Sequence, residues 1–289
     1  MGRCKPLALA RILTLAASVG MPGLAHAADL LPPPPMPMPP PPVDVGGGWY
    51  LRGDVGVGIL DLRKTVVEDV STPPVPYKYS AIQDQVGDQV FVGIGVGYQF
   101  NPWLRFDLTG EYRSKAEWRF VAEDHSYGTR GGYNLTAGKF SSVVALANGY
   151  VELGNWYGVT PFVGAGVGFA HHMFGGVTDQ GLGTYSGGFG YGGSKDKTNF
   201  AWAAHAGLAY AVTPNLKLEL AYRYLNMGEA ETGVVGCLPT CNPSLKTIYR
   251  AKELESHDIK LGMRWMLGGP VVTPVAAYEP PPPPLVRKY

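Results

Sequence analysis

Charged residues are scarce in this sequence of 289 residues: Asp, Glu, Lys and Arg make up 16% of it, and the formal net charge is +1. A charge so close to zero gives no electrostatic basis for binding nucleic acid. Long apolar runs are missing beyond the first 27 residues, and the mean hydropathy is -0.02, which excludes a bundle of membrane-spanning helices. A membrane β-barrel stays open, because alternation dilutes its apolar residues.

Cysteine is also rare, with 3 in the whole chain. Cys4 lies near the start and not at a cleavage site, so a lipoprotein is not expected. The other two, Cys237 and Cys241, are close in sequence, and in an oxidising compartment they are expected to form a disulfide within one loop. A zinc pair is the rival interpretation, although no second pair of ligands has matching spacing.

The first 27 residues have the pattern of a secretory signal peptide. A short apolar run, residues 12–24, leads to a small-residue cleavage site at 25–27, and the run follows the basic residues Arg3, Lys5 and Arg11. The run is well short of the ~20 residues that a membrane-spanning helix needs. We therefore expect export, with a mature chain that begins Ala28-Asp29.

Glycine, proline and aromatic residues are abundant, with 40 Gly, 26 Pro, 17 Tyr, 10 Phe and 6 Trp. Two segments rich in proline flank the rest, and they cannot pair into a sheet because proline lacks an amide donor. The expected parts are a signal peptide (1–27), a proline-rich periplasmic linker (28–47), an outer-membrane β-barrel (48–268) and a proline-rich, disordered tail (269–289).

The clearest period-two pattern lies in residues 88–113, on both sides of a turn at Asn101-Pro102. In the second arm Leu104, Phe106, Leu108 and Tyr112 alternate with Arg105, Asp107, Thr109, Glu111 and Arg113. Successive strand side chains point to opposite faces, so this segment predicts an antiparallel hairpin with one apolar and one polar face. The polar face mixes opposite charges with glycine, which is typical of the lumen of a narrow membrane barrel.

The same alternation predicts eight strands: 49–59, the two arms of 88–113, 143–153, 159–170, 200–212, 216–225 and 254–267. Short turns near Asn101, Gly154 and Pro214 alternate with long polar loops, predicted at 61–85, 114–139, 171–199 and 226–253. Outer-membrane barrels have short periplasmic turns and long external loops. The predicted fold is thus all-β, an eight-stranded antiparallel transmembrane β-barrel with both termini in the periplasm.

Five segments carry a family resemblance: 46–58 (GGGWYLRGDVGVG), 160–170 (TPFVGAGVGFA), 199–210 (NFAWAAHAGLAY), 213–228 (TPNLKLELAYRYLNMG) and 256–267 (SHDIKLGMRWML). They resemble the small outer-membrane barrels of alphaproteobacteria, which are related to opacity-type surface proteins and the OmpA membrane domain and are often labelled porins. The resemblance implies a Gram-negative outer membrane, contact with membrane lipid and lipopolysaccharide, and loops that bind host or surface ligands. We expect a monomer.

Motifs for chemistry are weak. The runs GVGVG, GIGVG and GAGVG continue strands and open no helix, so they are expected to make room inside the barrel, not to bind phosphate. Ser256 and His257 are neighbours on a strand and should face opposite sides. His171-His172 could bind metal but lies at a strand end, and His205 is expected to bond a carboxylate in the lumen. We expect no enzyme activity, no cofactor and no metal.

The inward-facing charges decide the functional hypothesis. The predicted parity turns thirteen of them inward: Arg52, Asp54, Arg105, Asp107, Glu111, Arg113, Glu152, Lys217, Glu219, Arg223, Asp258, Lys260 and Arg264. Buried charges are tolerated when paired, so this near-balanced set should form an ion-pair network that fills the lumen. The sequence thus predicts a structural barrel with surface loops for interaction; the alternative is a narrow or gated porin-like channel for small solutes.

The exported amino terminus suggests one more role. Some barrels of the resembled kind use an amino-terminal Ala-Asp as the acceptor in L,D-transpeptidase reactions, and signal cleavage would expose Ala28-Asp29 here. The proline-rich residues 30–45 could span about 50 Å at the ~3.1 Å per residue of polyproline II. Attachment to peptidoglycan is therefore a hypothesis, and an untethered spacer is its alternative.

Overall fold

A computed structural model describes residues 47–74, 78–125, 131–238 and 244–268. The signal peptide, the linker up to residue 46, the tail from residue 269 and Cys241 lie outside these ranges. All the regular secondary structure in these ranges is β-strand. Among the described residues, no helix has the length and apolar character to cross a membrane.

Thirteen strands follow one another in the described residues. They are β1 (Gly48–Asp69), β2 (Tyr79–Val86), β3 (Gln89–Asn101), β4 (Leu104–Asp124), β5 (Gly132–Glu152), β6 (Val159–Phe174), β7 (Val177–Gly183), β8 (Phe189–Gly192), β9 (Lys195–Ala211), β10 (Leu216–Asn226), β11 (Ala230–Glu231), β12 (Val235–Cys237) and β13 (Lys246–Met266).

Eight of these strands form a closed ring. The order around it is β1, β3, β4, β5, β6, β9, β10 and β13, and β13 pairs again with β1. All of these pairings are antiparallel, and each strand covers one of the eight predicted from sequence to within one residue. The predicted fold class is confirmed.

Side chains alternate between the two faces of the ring, as period-two patterning requires. Outward positions are apolar and exposed, for example Ile94 (74%), Leu108 (62%) and Leu261 (60%). We call the part of the ring with this apolar outer surface the membrane ring. Inward glycines make room in its narrow lumen: a Cβ on Gly97 would lie 2.3 Å from the Tyr50 ring.

The sequence predicted four long polar loops, and this prediction is wrong because most of their residues are in strands. β1, β4, β5 and β13 run for 22, 21, 21 and 21 residues, about twice the 9–11 residues that a membrane strand needs. Their far ends combine with β2, β7, β8 and β12 in a second ring, which we call the distal tier. Its order is β1, β13, β12, β8, β7, β5, β4 and β2.

The distal tier has an apolar core of its own. Trp118 lies at its centre, with ring centroids 6.1 Å from Phe120, 5.8 Å from Phe174 and 5.7 Å from Tyr249. Phe140 stacks on Phe174 at 5.4 Å. All five rings are buried, so this tier is a packed structure that stabilises itself by burying apolar area.

One seam in the distal tier is closed by side chains. In the described residues β1 and β2 share no backbone ladder; instead the Asp84 carboxylate accepts from the Thr65 backbone N–H at 2.6 Å and the Thr65 hydroxyl at 2.9 Å. The Tyr79 hydroxyl accepts from the Val67 N–H at 3.3 Å. These contacts satisfy part of an otherwise open strand edge.

Candidate functional site

The barrel interior holds the thirteen charged residues singled out from sequence. All face the lumen, and twelve are buried; Lys217 keeps 20% of its side chain exposed. Each sits on the same parity as its neighbours along β1, β4, β5, β10 or β13, which is why one polar stripe per strand faces inward. Within the lumen they separate into two groups.

The first group, the four-charge cluster, consists of Glu111, Arg113, Arg223 and Asp258. Arg113 Nη2 lies 2.8 Å from Asp258 Oδ1, and Arg223 Nε lies 2.7 Å from Asp258 Oδ2. Both terminal nitrogens of Arg223 donate to Glu111 at 2.8 Å. Two cations thus face two carboxylates through hydrogen-bonded contacts, which is the arrangement that buried charges require.

Neutral groups complete the bonding of this cluster. The Ser256 hydroxyl donates to Asp258 at 2.5 Å and accepts from Arg113 at 2.6 Å, and Gln89 accepts from Arg113 Nε at 3.0 Å. The Phe91 ring lies 4.9 Å from the Arg113 guanidinium and 5.0 Å from that of Arg223. Sequence reasoning placed Gln89 and Phe91 inward but gave them no role; their parity was the signal.

The second group consists of the other nine charged residues, and we call it the nine-charge cluster. It lies nearer the end of the ring at which β1 begins and β13 ends. Arg52 contacts Asp107 at 2.6 Å and Asp54 at 2.8 Å. The remaining ion pairs are Arg52 with Glu219 (3.4 Å), Arg105 with Glu152 (3.1 Å), Glu219 (3.3 Å) and Asp107 (3.6 Å), Arg264 with Glu152 (2.8 Å) and Glu219 (3.1 Å), Lys260 with Asp54 (3.6 Å) and Lys217 with Glu152 (3.9 Å).

Bonding in the nine-charge cluster is less well aligned. Arg105 Nε and Nη2, Arg264 Nε and Glu219 Oε1 lie within ion-pair distance but make no hydrogen bond of good geometry. Tyr150 compensates in part, because the Arg105 guanidinium stacks 3.9 Å from the centre of its ring. We therefore expect the four-charge cluster to respond more sharply to the loss of one charge.

His205 lies in the lumen but not in the predicted contact. Its Nε2 is 3.2 Å from the Asn148 side-chain oxygen, and Asn148 donates to Asp107 at 2.8 Å. The sequence predicted a direct bond from His205 to a lumen carboxylate; instead the Asn148 amide stands between this histidine and the Asp107 carboxylate. The reason is geometric: the carboxylate sits on β4 and the histidine on β9, with β5 and β6 between them in the ring.

Two serine and histidine pairs bear on hydrolytic chemistry. Ser256 faces the lumen while His257 faces outward and bonds Tyr222 at 2.6 Å, so the two do not meet, as predicted. Ser142 does contact His172, at 2.7 Å, but both are buried, and His172 Nε2 lies 3.0 Å from the Met227 carbonyl oxygen. Burial lowers the pKa of His172 to about 4, consistent with a neutral ring in a closed core.

A carboxylate is also enclosed in the distal tier. The Thr136 hydroxyl donates to Asp179 at 2.9 Å. Burial raises the pKa of Asp179 to about 6, nearby Asp124 adds to the rise, and hydrogen bonds from Thr136 and Tyr249 oppose it. This group is thus poised to change its charge in mildly acidic conditions.

Three other predicted sites are the disulfide, the peptidoglycan acceptor and the histidine pair. Cys237 is disulfide-bonded, while its predicted partner Cys241 lies outside the described residues. Ala28 and Asp29, the predicted peptidoglycan acceptor, lie outside them too. His171, weighed as a metal ligand, has its Nδ1 2.7 Å from the Thr198 hydroxyl.

A closed antiparallel ring with an apolar outer surface and a charged interior is the architecture of a small outer-membrane β-barrel. The chain belongs to the family of the outer membrane protein beta-barrel domain, which matches residues 36–266. An uncharacterized protein of Brucella abortus is 33% identical over 201 residues, covering 62% of this chain and 68% of that protein.

Further relatives and structures are more distant. A Rickettsia felis protein named as a candidate adhesin is 27% identical over 236 residues, covering 77% of this chain and 89% of its own. Among solved structures, Neisserial surface protein A is 18% identical with a TM-score of 0.37, covering 76% of this chain and 98% of that protein. Membership of the outer membrane protein beta-barrel family makes this chain an outer-membrane protein.

Proposed function

We propose that this protein is a structural outer-membrane barrel whose distal tier carries surface interactions, and that its lumen is closed. The observation that carries the proposal is the filling of the interior at two successive levels. Paired charges occupy the membrane ring, and the Trp118 core occupies the distal tier. A solute would have to displace both.

The rival function, a narrow or gated channel, requires the charges to move aside. Removing one partner of a buried pair costs roughly 3–5 kcal/mol, and Asp258 alone holds two arginines. Spontaneous opening at neutral pH should therefore be rare. The Rickettsia felis relative, which is named as a candidate adhesin, supports an interaction role over transport.

The asymmetry of the ring supports one orientation in the membrane. Three short connections, after β3, β5 and β9, lie at one end, and the distal tier lies at the other. Barrels of this class place short turns in the periplasm. We propose that both termini are periplasmic, that the distal tier is outside the cell, and that lipid and lipopolysaccharide surround the membrane ring.

Recording in planar bilayers tests the closed lumen. The refolded exported chain should show no stable openings, whereas a variant with Glu111→Ser and Arg223→Ser, which removes one cation and one anion, should show more frequent ones. Stable nanosiemens openings in the unaltered protein would contradict the proposal. Maleimide labelling of Lys64→Cys on β1 and of Asn215→Cys in a short turn, in intact cells, tests the orientation: label is expected at the first site alone.

We also propose that the exported amino terminus attaches the barrel to peptidoglycan through Ala28-Asp29. Support comes from the sequence: the predicted cleavage exposes this dipeptide ahead of a stiff proline-rich linker. Muramidase digestion of detergent-washed sacculi, followed by mass spectrometry, should release muropeptides that carry Ala28-Asp29-Leu30. Full extraction of the protein by detergent, with no such peptides, would leave an untethered spacer.

We infer that the protein is not an enzyme. The buried serine and histidine contact in the described part of the chain, Ser142 with His172, is bonded to the Met227 carbonyl instead of a carboxylate. A second contact, Ser80 with His125 at 3.1 Å, is exposed, and His125 turns the same nitrogen, Nε2, toward both Ser80 and Glu123, so the carboxylate does not support a proton relay there. Conversion of Ser142 to Ala should leave any surface phenotype of the protein unchanged.

A further inference from the structure

One side of the distal tier has an outer face without charge. It is formed by the first residues of β5 together with β7, β8 and β12, which pair in that order. Asp179 is the one charged residue in segments 132–138, 177–183, 189–192 and 235–237, and it shares its parity with the buried Val177 and Gly181. We call the outward side of these strands the uncharged face.

Large apolar side chains stand exposed on this face and its margins. Tyr191 is 53% exposed, Val234 48% and Leu182 39%. The register brings Leu182 and Tyr191 near each other through Phe189, which is 39% exposed: Tyr133 pairs with Leu182, Phe189 pairs with Gln180 two residues before Leu182, and Tyr191 follows Phe189 by two residues on β8. Contiguous exposed apolar area on a part of a protein that does not contact lipid marks an interaction site.

The other side of the distal tier is different. The far ends of β1, β4 and β13 carry outward charges, joined in ion pairs such as Arg63 with Glu253 (2.6 Å) and Arg250 with Glu68 (2.9 Å). Glu117 on β4 pairs with Lys139 on β5 (2.9 Å), just before the uncharged face begins. Charged side chains of this kind keep a surface solvated. Their absence from the uncharged face is therefore a local property, and not a feature of the whole tier.

The direction of the uncharged face follows from β5, a single strand that runs from the membrane ring into the distal tier. Its outward residues have one parity throughout: Val151, Ala147 and Val143 in the membrane ring, and Lys139, Leu135 and Tyr133 above it. Side chains of equal parity leave a strand on the same side. The uncharged face therefore points sideways, parallel to the membrane plane, and not away from the membrane.

We propose that the uncharged face binds the same face of a second copy of this chain in the same membrane. Two copies embedded in one bilayer hold this face at the same height, and a two-fold axis along the membrane normal brings the two faces together. Because neither face is charged, their contact neither buries an unpaired ion nor creates repulsion. A face of another protein would have to match both the height and the lack of charge.

The membrane ring below the uncharged face favours close approach. Along β5 the outward positions include Ala145, Ala147 and Gly149, and small residues let neighbouring membrane walls pack closely. The contact is modest in size: four strands at ~4.8 Å spacing and about six residues at ~3.3 Å give a footprint of roughly 400 Å². This is below the ~800 Å² per partner of a standard interface, so the dimer should be weak and should depend on confinement in the membrane.

Energy transfer between labelled barrels in phosphatidylcholine vesicles tests this inference. The full exported chain is labelled at Asn215→Cys, in a turn remote from the face, with donor in one batch and acceptor in the other. Transfer should exceed that of random neighbours and rise with the ratio of protein to lipid. Tyr191→Lys and Val234→Lys should each weaken association at least tenfold, because a face-to-face contact would bury two like charges.

Ile82→Lys is the matched control, since Ile82 is an exposed apolar residue (59%) of the same tier on β2, away from the face. It should keep the association of the unaltered chain, and heat-dependent gel mobility shows that each variant is folded. The inference is overturned by random-level transfer in the unaltered chain, by equal loss in Ile82→Lys, or by transfer that appears only when lipopolysaccharide is added. None of these readings depends on whether the lumen conducts or which way the tier faces.

Discussion

Replacing Asp258 by alanine is the sharpest test of the charged lumen. Asp258 is fully buried and is bonded by Arg113, Arg223 and Ser256 at 2.5–2.8 Å. Its loss leaves two buried guanidinium groups with Glu111 as their one carboxylate in the four-charge cluster. Stripping one partner from a buried ion pair costs roughly 3–5 kcal/mol, and we expect the unfolding free energy of the barrel to fall by that amount.

Leu108→Ala provides the comparison on the lipid-facing side. Leu108 is 62% exposed on the outer surface of β4, so its truncation removes apolar surface from the bilayer but unpairs no charge. Truncation to alanine removes three carbons, worth at most about 2.4 kcal/mol at ~0.8 kcal/mol per carbon. The lumen variant should therefore be the less stable of the two by at least about 0.6 kcal/mol.

Urea-induced unfolding of the barrel in lipid vesicles, followed by tryptophan fluorescence, measures both losses. A second arm removes one charge of each sign, in Asp258→Asn with Arg113→Met, which should recover part of the cost of Asp258→Asn alone because fewer cations are left unpaired. Arg105→Ala and Glu111→Ala belong to the same class and should also cost more than Leu108→Ala. Equal midpoints for the lumen and lipid-facing variants would show that the buried ion pairs do not stabilise the fold.

Three further outcomes are expected. Trp118→Ala leaves a cavity in the distal core and should destabilise it by roughly 3–5 kcal/mol. Hydrogen exchange should become faster in the parts of β4 and β5 beyond the membrane ring and stay unchanged within the ring. Asp179→Asn should stabilise the distal tier: the folded pKa of about 6 exceeds the usual 3.8, so the carboxylate destabilises the fold as pH rises through that window. By hydrogen exchange, the gain should be at most about 3 kcal/mol above pH 6 and vanish near pH 4. Cys237→Ser should leave the gel mobility of the folded ring unchanged, since the predicted disulfide closes a small loop.

Much of the membrane ring was readable from sequence because its information is local. Parity along a single strand assigns each side chain to lumen or lipid, so the inward placement of Arg105, Glu111 and Asp258 needed no knowledge of the fold. Which of these charged residues contact one another could not be predicted from the sequence. Arg113 on β4 meets Asp258 on β13 because the ring closes through β1 and β3, and the register of that closure depends on pairings between distant segments.

The distal tier was missed for a different reason. Beyond Ser114 the outward positions of β4 become charged, as at Glu117 and Arg119, and charge was taken as the mark of a loop. A register shift between Arg113 and Ala116 also changes the inward parity from odd to even, so Trp118 and Phe120 resume the period-two pattern out of phase, and the alternation breaks where the distal tier begins. The short glycine-rich β7 and β8 carried no comparable signal, because strands this short are defined by their neighbours.

The seam between β1 and β2 gives the molecule a preferred place to open. A carboxylate and a phenol hold it, in place of the continuous ladder that joins the other strands around the distal tier. Water and solvent ions compete for such groups more readily than for a backbone ladder, so the first breach on heating should run along this line. The distal tier can then open along this seam while the membrane ring, which its own ladders and ion pairs hold, stays closed.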